Sequence, residues 1–318
     1  MIDVFSATVP IFLIVAVGYV VTRLGVLKRA DMTVLSTFVV KVALPALVFV
    51  SVAGRSLGEI LNPTWLLTYG VSAMIMMGLG NLYAKARGRS AARAATVGFA
   101  MSGTNNGFVG LPMFLILLPN VAGLAAGMAM LVDNTLIIPV ALAMYEAITG
   151  AGGPLTHKLG VLVRRVLLHP MVIAIILALL LGALNLELTG MLDRAVQMVA
   201  SSSSAVALFS IGGMLVGLQV RGQIADILTA VGGKLLLMPL LAVGLVNLLP
   251  TLALPTLSTD LRVAAVLTCA LPSMTVMAAV AEQHGEGDLG AASMMLSTVI
   301  SFFTLTAWMM GLRAVGWL

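Results

Sequence analysis

The residues best suited to chemistry lie in two short stretches that interrupt otherwise apolar segments. Phe99-Ala-Met-Ser-Gly-Thr-Asn-Asn-Gly-Phe-Val-Gly-Leu-Pro-Met113 sits inside a segment long enough to cross a bilayer, yet it carries Asn105, Asn106, Gly107, Gly110 and Pro112. Glycine tolerates open backbone conformations, and proline cannot donate to the carbonyl four residues back. Cys269-Ala-Leu-Pro-Ser-Met-Thr275 repeats the interruption, with Pro272 standing 160 residues after Pro112. Loosened backbone at membrane depth is tolerated only where it faces protein or a water-filled cavity. A half-helix that starts beyond such a break presents unpaired N–H groups and a partial positive charge, which attract an anion. Pro112 and Pro272 suit the first turn of a new half-helix. The expected site therefore holds a carboxylate, with Asn105, Asn106, Gly107, Pro112, Pro272, Ser273 and Thr275 around it.

Asp133 is the one acid well inside an apolar segment, and Asn134 follows it. Burying such a charge costs at least about 2.5–3.5 kcal/mol on insertion scales, so it marks a functional position by default. Next to a bound anion the carboxylate must be protonated or paired with a cation, because like charges repel in a low dielectric. Asp133 and Asn134 thus read as a coupling group and a substrate contact. Lys41, midway along another apolar segment, is a second coupling candidate and an alternative structural partner for Asp133. Lys234, near the start of its segment, reads as a lysine that snorkels to the interface. His157, His169 and His284 fall in loops without metal-ligand spacing, and no phosphate-binding GxxxxGK[ST] loop, HExxH helix or nucleophile elbow occurs. No metal or cofactor is expected, and no enzyme chemistry.

The elements that must position these residues follow from composition. Of 318 residues, 60% are hydrophobic and 9% charged, whereas a soluble domain carries roughly a quarter charged residues. Apolar runs of about 20 residues recur throughout, the mark of an all-α polytopic membrane protein. Ten spans are legible. The fourth, 94–118, and the ninth, 262–281, hold the two breaks. The linker Thr149–His169, with Gly152-Gly153-Pro154, separates residues 1–150 from 151–318. Five spans in each half put the halves in opposite orientations, an inverted repeat. The formal net charge of +5 is an orientation signal and not a sign of nucleic acid, because the basic residues sit in short loops. Loops after spans one, three, five and seven hold eleven of them, from Arg23 to Arg221. The opposite side holds four: Arg55, Arg194, Arg262 and Arg313. Both termini should therefore be extracytoplasmic. Ser201–Ser204, Gly212, Gly213 and Gly217 give span seven a small-residue face, suited to close helix contact and to a homodimer.

Ala43-Leu-Pro-Ala-Leu-Val-Phe49, Asn105-Asn-Gly-Phe-Val-Gly-Leu-Pro112 and Ala270-Leu-Pro-Ser273 resemble, in order and position, motifs of the auxin efflux carrier family. That family includes bacterial carriers named as malonate transporters, and its architecture is similar to that of bile acid/sodium symporters. The resemblance implies a scaffold of spans one, two, six and seven and a transport domain of spans three to five and eight to ten. It also implies crossing broken helices, with Asn105, Pro112 and Pro272 at the crossing and Asp133 and Asn134 as polar contacts. The expected function is alternating-access transport of a small organic anion, proton- or sodium-linked, across a bacterial inner membrane. A bile-acid-like sodium symporter and a non-transporting sensor of the same ligands are the alternatives. The long cytoplasmic loop of plant auxin carriers is missing, and Lys41 departs from the pattern. A C-terminal reporter that is active only in the cytoplasm should stay silent; a bright signal would reverse the expected orientation.

Overall fold

The computed structural model describes residues 2–53, 61–149, 168, 170–184, 186, 188–217 and 224–318. Apart from Thr149 and Leu168, the linker expected to separate two halves lies outside them, His157 and His169 included. Among the described residues the chain is helical, apart from one isolated β-bridge. Among the described residues six helices are long and apolar enough to cross a membrane: Arg29–Val50, Pro63–Ala86, Ala122–Ile148, Gly190–Met214, Ile224–Thr251 and Gly287–Ala314. We label the elements α1 (Ile2–Arg23), α2 (Arg29–Phe38, continued by Val39–Ala43 and Leu44–Val52), α3 (Pro63–Ala86), α4 (Ala91–Ser102) and α5 (Asn106–Leu117). They are followed by α6 (Ala122–Val132, Asp133–Ile137 and Ile138–Thr149), α7 (Pro170–Ala183), α8 (Gly190–Met214) and α9 (Ile224–Gly232, Gly233–Leu237 and Met238–Thr251). The last are α10 (Thr259–Ala270), α11 (Thr275–Gln283) and α12 (Gly287–Ala314).

Among the described residues four helical segments are π-turns of five residues, and each is followed by one residue and then a proline. Val39–Ala43 precedes Leu44-Pro45, and Asn106–Gly110 precedes Leu111-Pro112. Asp133–Ile137 precedes Ile138-Pro139, and Gly233–Leu237 precedes Met238-Pro239. A proline removes the donor that would close the preceding turn, and widening that turn absorbs the loss without ending the helix. Lys41, Asn106, Asp133 and Lys234 all sit in these turns.

The chain divides into two compact units. The first comprises Met1–Asn62, Asn106–Leu131 and Arg165–Gly217. In it α1 packs on α8 almost backbone to backbone, since a Cβ on Gly18 would collide with Phe209 and one on Gly212 with Val15. Gly213, the expected source of a dimer contact, packs instead on Met32 and Thr22 of the same unit. Leu13, Val17, Leu177 and Leu180 remain exposed, as a lipid-facing surface requires.

The second unit comprises Pro63–Asn105, Val132–Arg164 and Leu218–Leu318. Its interior is rich in hydroxyls: Thr68, Ser72, Thr96, Ser102, Thr104, Ser273, Ser297 and Ser301 are buried. Several return their proton to their own helix, as Thr68 does to Thr64 O at 2.7 Å and Ser301 to Thr298 O at 2.7 Å, which satisfies a polar group where water is absent. Gly80 and Gly98 bring α3 and α4 together; a Cβ on Gly98 would lie 2.5 Å from Met77 O. At one end Arg93 bridges Asp226 at 2.6 Å and Glu286 at 3.1 Å, and Arg89 reaches Asp226 at 3.1 Å. This cluster ties the start of α4, the start of α9 and the α11–α12 turn together. Asp226 is fully buried, so Asp226→Asn should lower thermal stability by about 1–3 kcal/mol, the cost of a lost charged hydrogen-bond partner. Unfolding in detergent measures it.

Candidate functional site

Two twelve-residue helices in the second unit lead into the breaks. α4 and α10 start at Ala91 and Thr259, 168 positions apart, and each follows a serine N-cap. Ser90 Oγ accepts the Arg93 amide and Ser258 Oγ accepts the Leu261 amide. α4 ends at Ser102 and α10 at Ala270. Between these ends and the next helices the chain is extended, and the two extended segments pair. Asn105 N–H donates to Pro272 O at 2.9 Å and Met274 N–H donates to Gly103 O at 3.3 Å, with Thr104 opposite Ser273 in an antiparallel bridge. This bridge satisfies backbone groups that the broken helices leave open.

Ser273 is consumed in holding this crossing. Its Oγ donates to Ala100 O at 2.7 Å and its N–H donates to Ser297 Oγ at 3.1 Å. Asn105 is used differently. Its backbone N–H is in the bridge, but its side-chain amide has no hydrogen-bond partner among the described residues, although the residue is only 4% exposed. Beside the crossing, α11 opens at Thr275 after Met274, which provides no side-chain cap. Its first-turn N–H groups therefore face outward with the positive end of a helix dipole behind them.

Asp133 joins the crossing through one residue that the sequence did not single out. Tyr69 of α3 donates its hydroxyl proton to Asp133 Oδ1 and also contacts Thr104 Oγ1. A phenol has one proton, so with Asp133 taking it, Thr104 is the donor to Tyr69. The chain Thr104–Tyr69–Asp133 thus leads from the crossing to the acid. Trp65 holds the Tyr69 ring edge-on at 6.0 Å. Asn134, next along the π-turn, is half-buried.

Lys234 is a correction. It does not snorkel: it is fully buried in the π-turn of α9, where Nζ donates to Cys269 O at 2.9 Å and contacts Met238 Sδ at 3.1 Å. Cys269 lies in the last turn of α10, so the ammonium sits at the negative end of that half-helix, where a cation is favoured. Lys234 makes no ion pair among the described residues, and it lies within electrostatic range of Asp133. The available signal was the proline five residues on, which also marks the turns of Asp133 and Asn106. Pro112 is a second correction. It does not open a half-helix, because α5 already starts at Asn106 and the π-turn Asn106–Gly110 accommodates the proline. Asn106, Gly107 and Pro112 belong to the first unit, with Gly107 against Leu44 and Met130. Lys41 also lies in the first unit and is exposed. No cluster of three or more metal-ligating side chains occurs among the described residues.

The family profile described as "Membrane transport protein" matches residues 3–309. A "Putative malonate transporter" of Rhizobium meliloti (strain 1021) is 27% identical over 312 residues, covering 96% of this chain and 95% of that protein. An "Uncharacterized transporter" of Methanothermobacter thermautotrophicus is 26% identical over 303 residues, covering 94% and 95%.

The different uses of Asn105 and Ser273 make a paired prediction. Asn105→Ala should leave the melting temperature unchanged, whereas Ser273→Ala should lower it by roughly 2–4 °C, the shift for about 1 kcal/mol in a chain of moderate size. Differential scanning fluorimetry of both variants checks it.

Proposed function

The chain belongs to the membrane transport protein family, the auxin efflux carrier family of the sequence motifs, and from that premise we propose that it is a secondary carrier of a small organic anion. A mono- or dicarboxylate of malonate's size is the substrate class, a choice supported by the name of the Rhizobium relative. The observation that carries the reading is the Asn105 amide, buried and unpartnered beside the uncapped start of α11. An amide donor with helix N–H groups recognises a carboxylate without a basic side chain in contact with it. The fold around it comprises ten spans in two inverted five-helix repeats, with both termini extracytoplasmic. The second unit is the core of the mobile transport domain, and the first supplies the scaffold.

Asp133 and Lys234 are the switch in this reading. Both are buried in the second unit, and Thr104 and Tyr69 connect the acid to the substrate position. Loading an anion nearby changes the charge that the pair must balance, so a proton or a cation moves with the substrate. Alternating access then exposes the same crossing to either side of the membrane in turn.

Uptake of radiolabelled malonate and related carboxylates into proteoliposomes tests the proposal. The unmutated protein should transport at least one of them. Asn105→Ala should weaken binding about tenfold or more, as expected for one lost donor to a charged group. Asp133→Asn should keep binding and remove its dependence on pH. A protein that binds carboxylates without moving them would be a sensor. Abolished binding in folded Asp133→Asn would favour a sodium ion held by the acid.

A further inference from the structure

The crossing and the Lys234 turn are both supported from one helix that contributes no charged residue to either. Ser297 of α12 is fully buried, and its hydroxyl donates to Met294 O at 3.0 Å. A serine hydroxyl has one proton, so with that proton committed, a lone pair is what Ser297 presents. The group it meets is the Ser273 N–H, at 3.1 Å. That amide lies between Pro272, whose carbonyl accepts from Asn105, and Met274, whose N–H closes the other side of the bridge. Ser297 is thus the partner of a crossing amide that the two-bond bridge leaves over.

Trp308 performs the complementary task. Its indole N–H donates to Leu235 O at 3.0 Å. Leu235 is four residues before Pro239, so its carbonyl is one for which the proline supplies no donor. It also follows Lys234 directly. Ser297 and Trp308 are eleven residues apart, about three turns and 16 Å along a helix, which puts them on the same face. One accepts from an amide in the crossing and the other donates to a carbonyl in the lysine's turn.

We infer that α12 is a positioning strut of the transport site, acting through Ser297 on the Asn105–Ser273 crossing and through Trp308 on the π-turn that carries Lys234. The inference rests on the carboxylate-carrier reading for its consequence in transport, but not for its structural content. Neither residue touches substrate. Ser297 fixes where the Asn105 amide and the start of α11 stand relative to each other. Trp308 keeps the Lys234 ammonium directed at Cys269 O.

The test uses the full-length protein with Ser297→Ala, Ser297→Thr and Trp308→Phe. Hydrogen exchange resolved at Ser273 should speed up about tenfold in Ser297→Ala, the scale of one lost hydrogen bond, and recover in Ser297→Thr, which keeps a hydroxyl. Exchange across residues 233–238 should rise in Trp308→Phe and not in Ser297→Ala. In proteoliposomes Ser297→Ala should raise KM with kcat retained, and Trp308→Phe should lower kcat with KM retained. Unchanged exchange at Ser273 in Ser297→Ala, or identical kinetic losses in both variants, would overturn the strut. If Ser297→Ala does not fold, exchange at residues 233–238 in Trp308→Phe decides the matter alone, and unchanged exchange there overturns it. If the unmutated protein carries no carboxylate while the exchange pattern appears, the carrier reading fails and the strut stands.

Discussion

The pairing of two extended segments at Thr104 and Ser273 is the interaction on which the candidate site depends. A break in a membrane helix exposes N–H and C=O groups that lipid cannot satisfy, each worth several kcal/mol. Here the broken elements supply each other's partners, Asn105 N–H to Pro272 O and Met274 N–H to Gly103 O. With the backbone satisfied, the Asn105 side chain is left over as a donor at the same place. In the proposed carrier, stability and binding capacity therefore draw on the same few residues but on different groups: main chain for the first, side chain and helix end for the second.

The prolines show a second economy of the same kind. Each π-turn among the described residues precedes an X-Pro pair, and each carries a polar or charged residue of interest. A proline in a helix frees a carbonyl and widens the turn before it. Widening moves the side chains of that turn off the regular helical positions, which allows a buried ammonium or carboxylate to point at a partner that a regular turn would miss. The freed carbonyl then needs its own donor. For Leu235 this is Trp308, and the cost of the kink becomes a contact between α9 and α12.

How much of this is legible in the sequence depends on the kind of signal. The breaks are readable because Pro, Gly and Asn clustered inside an apolar run disfavour a continuous helix. Asp133 is readable because an acid at that depth is expensive. The start of α5 is not, because a proline has the same one-dimensional pattern whether it opens a helix or sits inside one behind a π-turn. Lys234 misleads in the same way: a lysine near the end of an apolar run looks alike whether it snorkels outward or turns inward. Only its neighbours, Cys269 and Met238, distinguish the two. Tyr69, Thr104, Ser297 and Trp308 carry no signal of their own. Hydroxyls in membrane helices ordinarily bond their own turn, and which of them bond across helices is a fact of packing between segments far apart in sequence. Gly212 and Gly213 of α8 do pack closely, but against α1 and α2, whereas Gly217 lies beyond the helix end with open space where a Cβ would stand.

The central claim is that a carboxylate sits against the Asn105 amide. Solid-state NMR of the protein in lipid, with Asn side chains labelled with nitrogen-15 and malonate labelled with carbon-13 at its carboxyls, measures this contact directly. Dipolar coupling should place a malonate carboxyl carbon within about 4 Å of one Asn side-chain nitrogen, the distance of a hydrogen-bonded pair, and Asn105→Ser should remove that coupling. Malonate that is bound yet shows no coupling to the Asn105 nitrogen would contradict it.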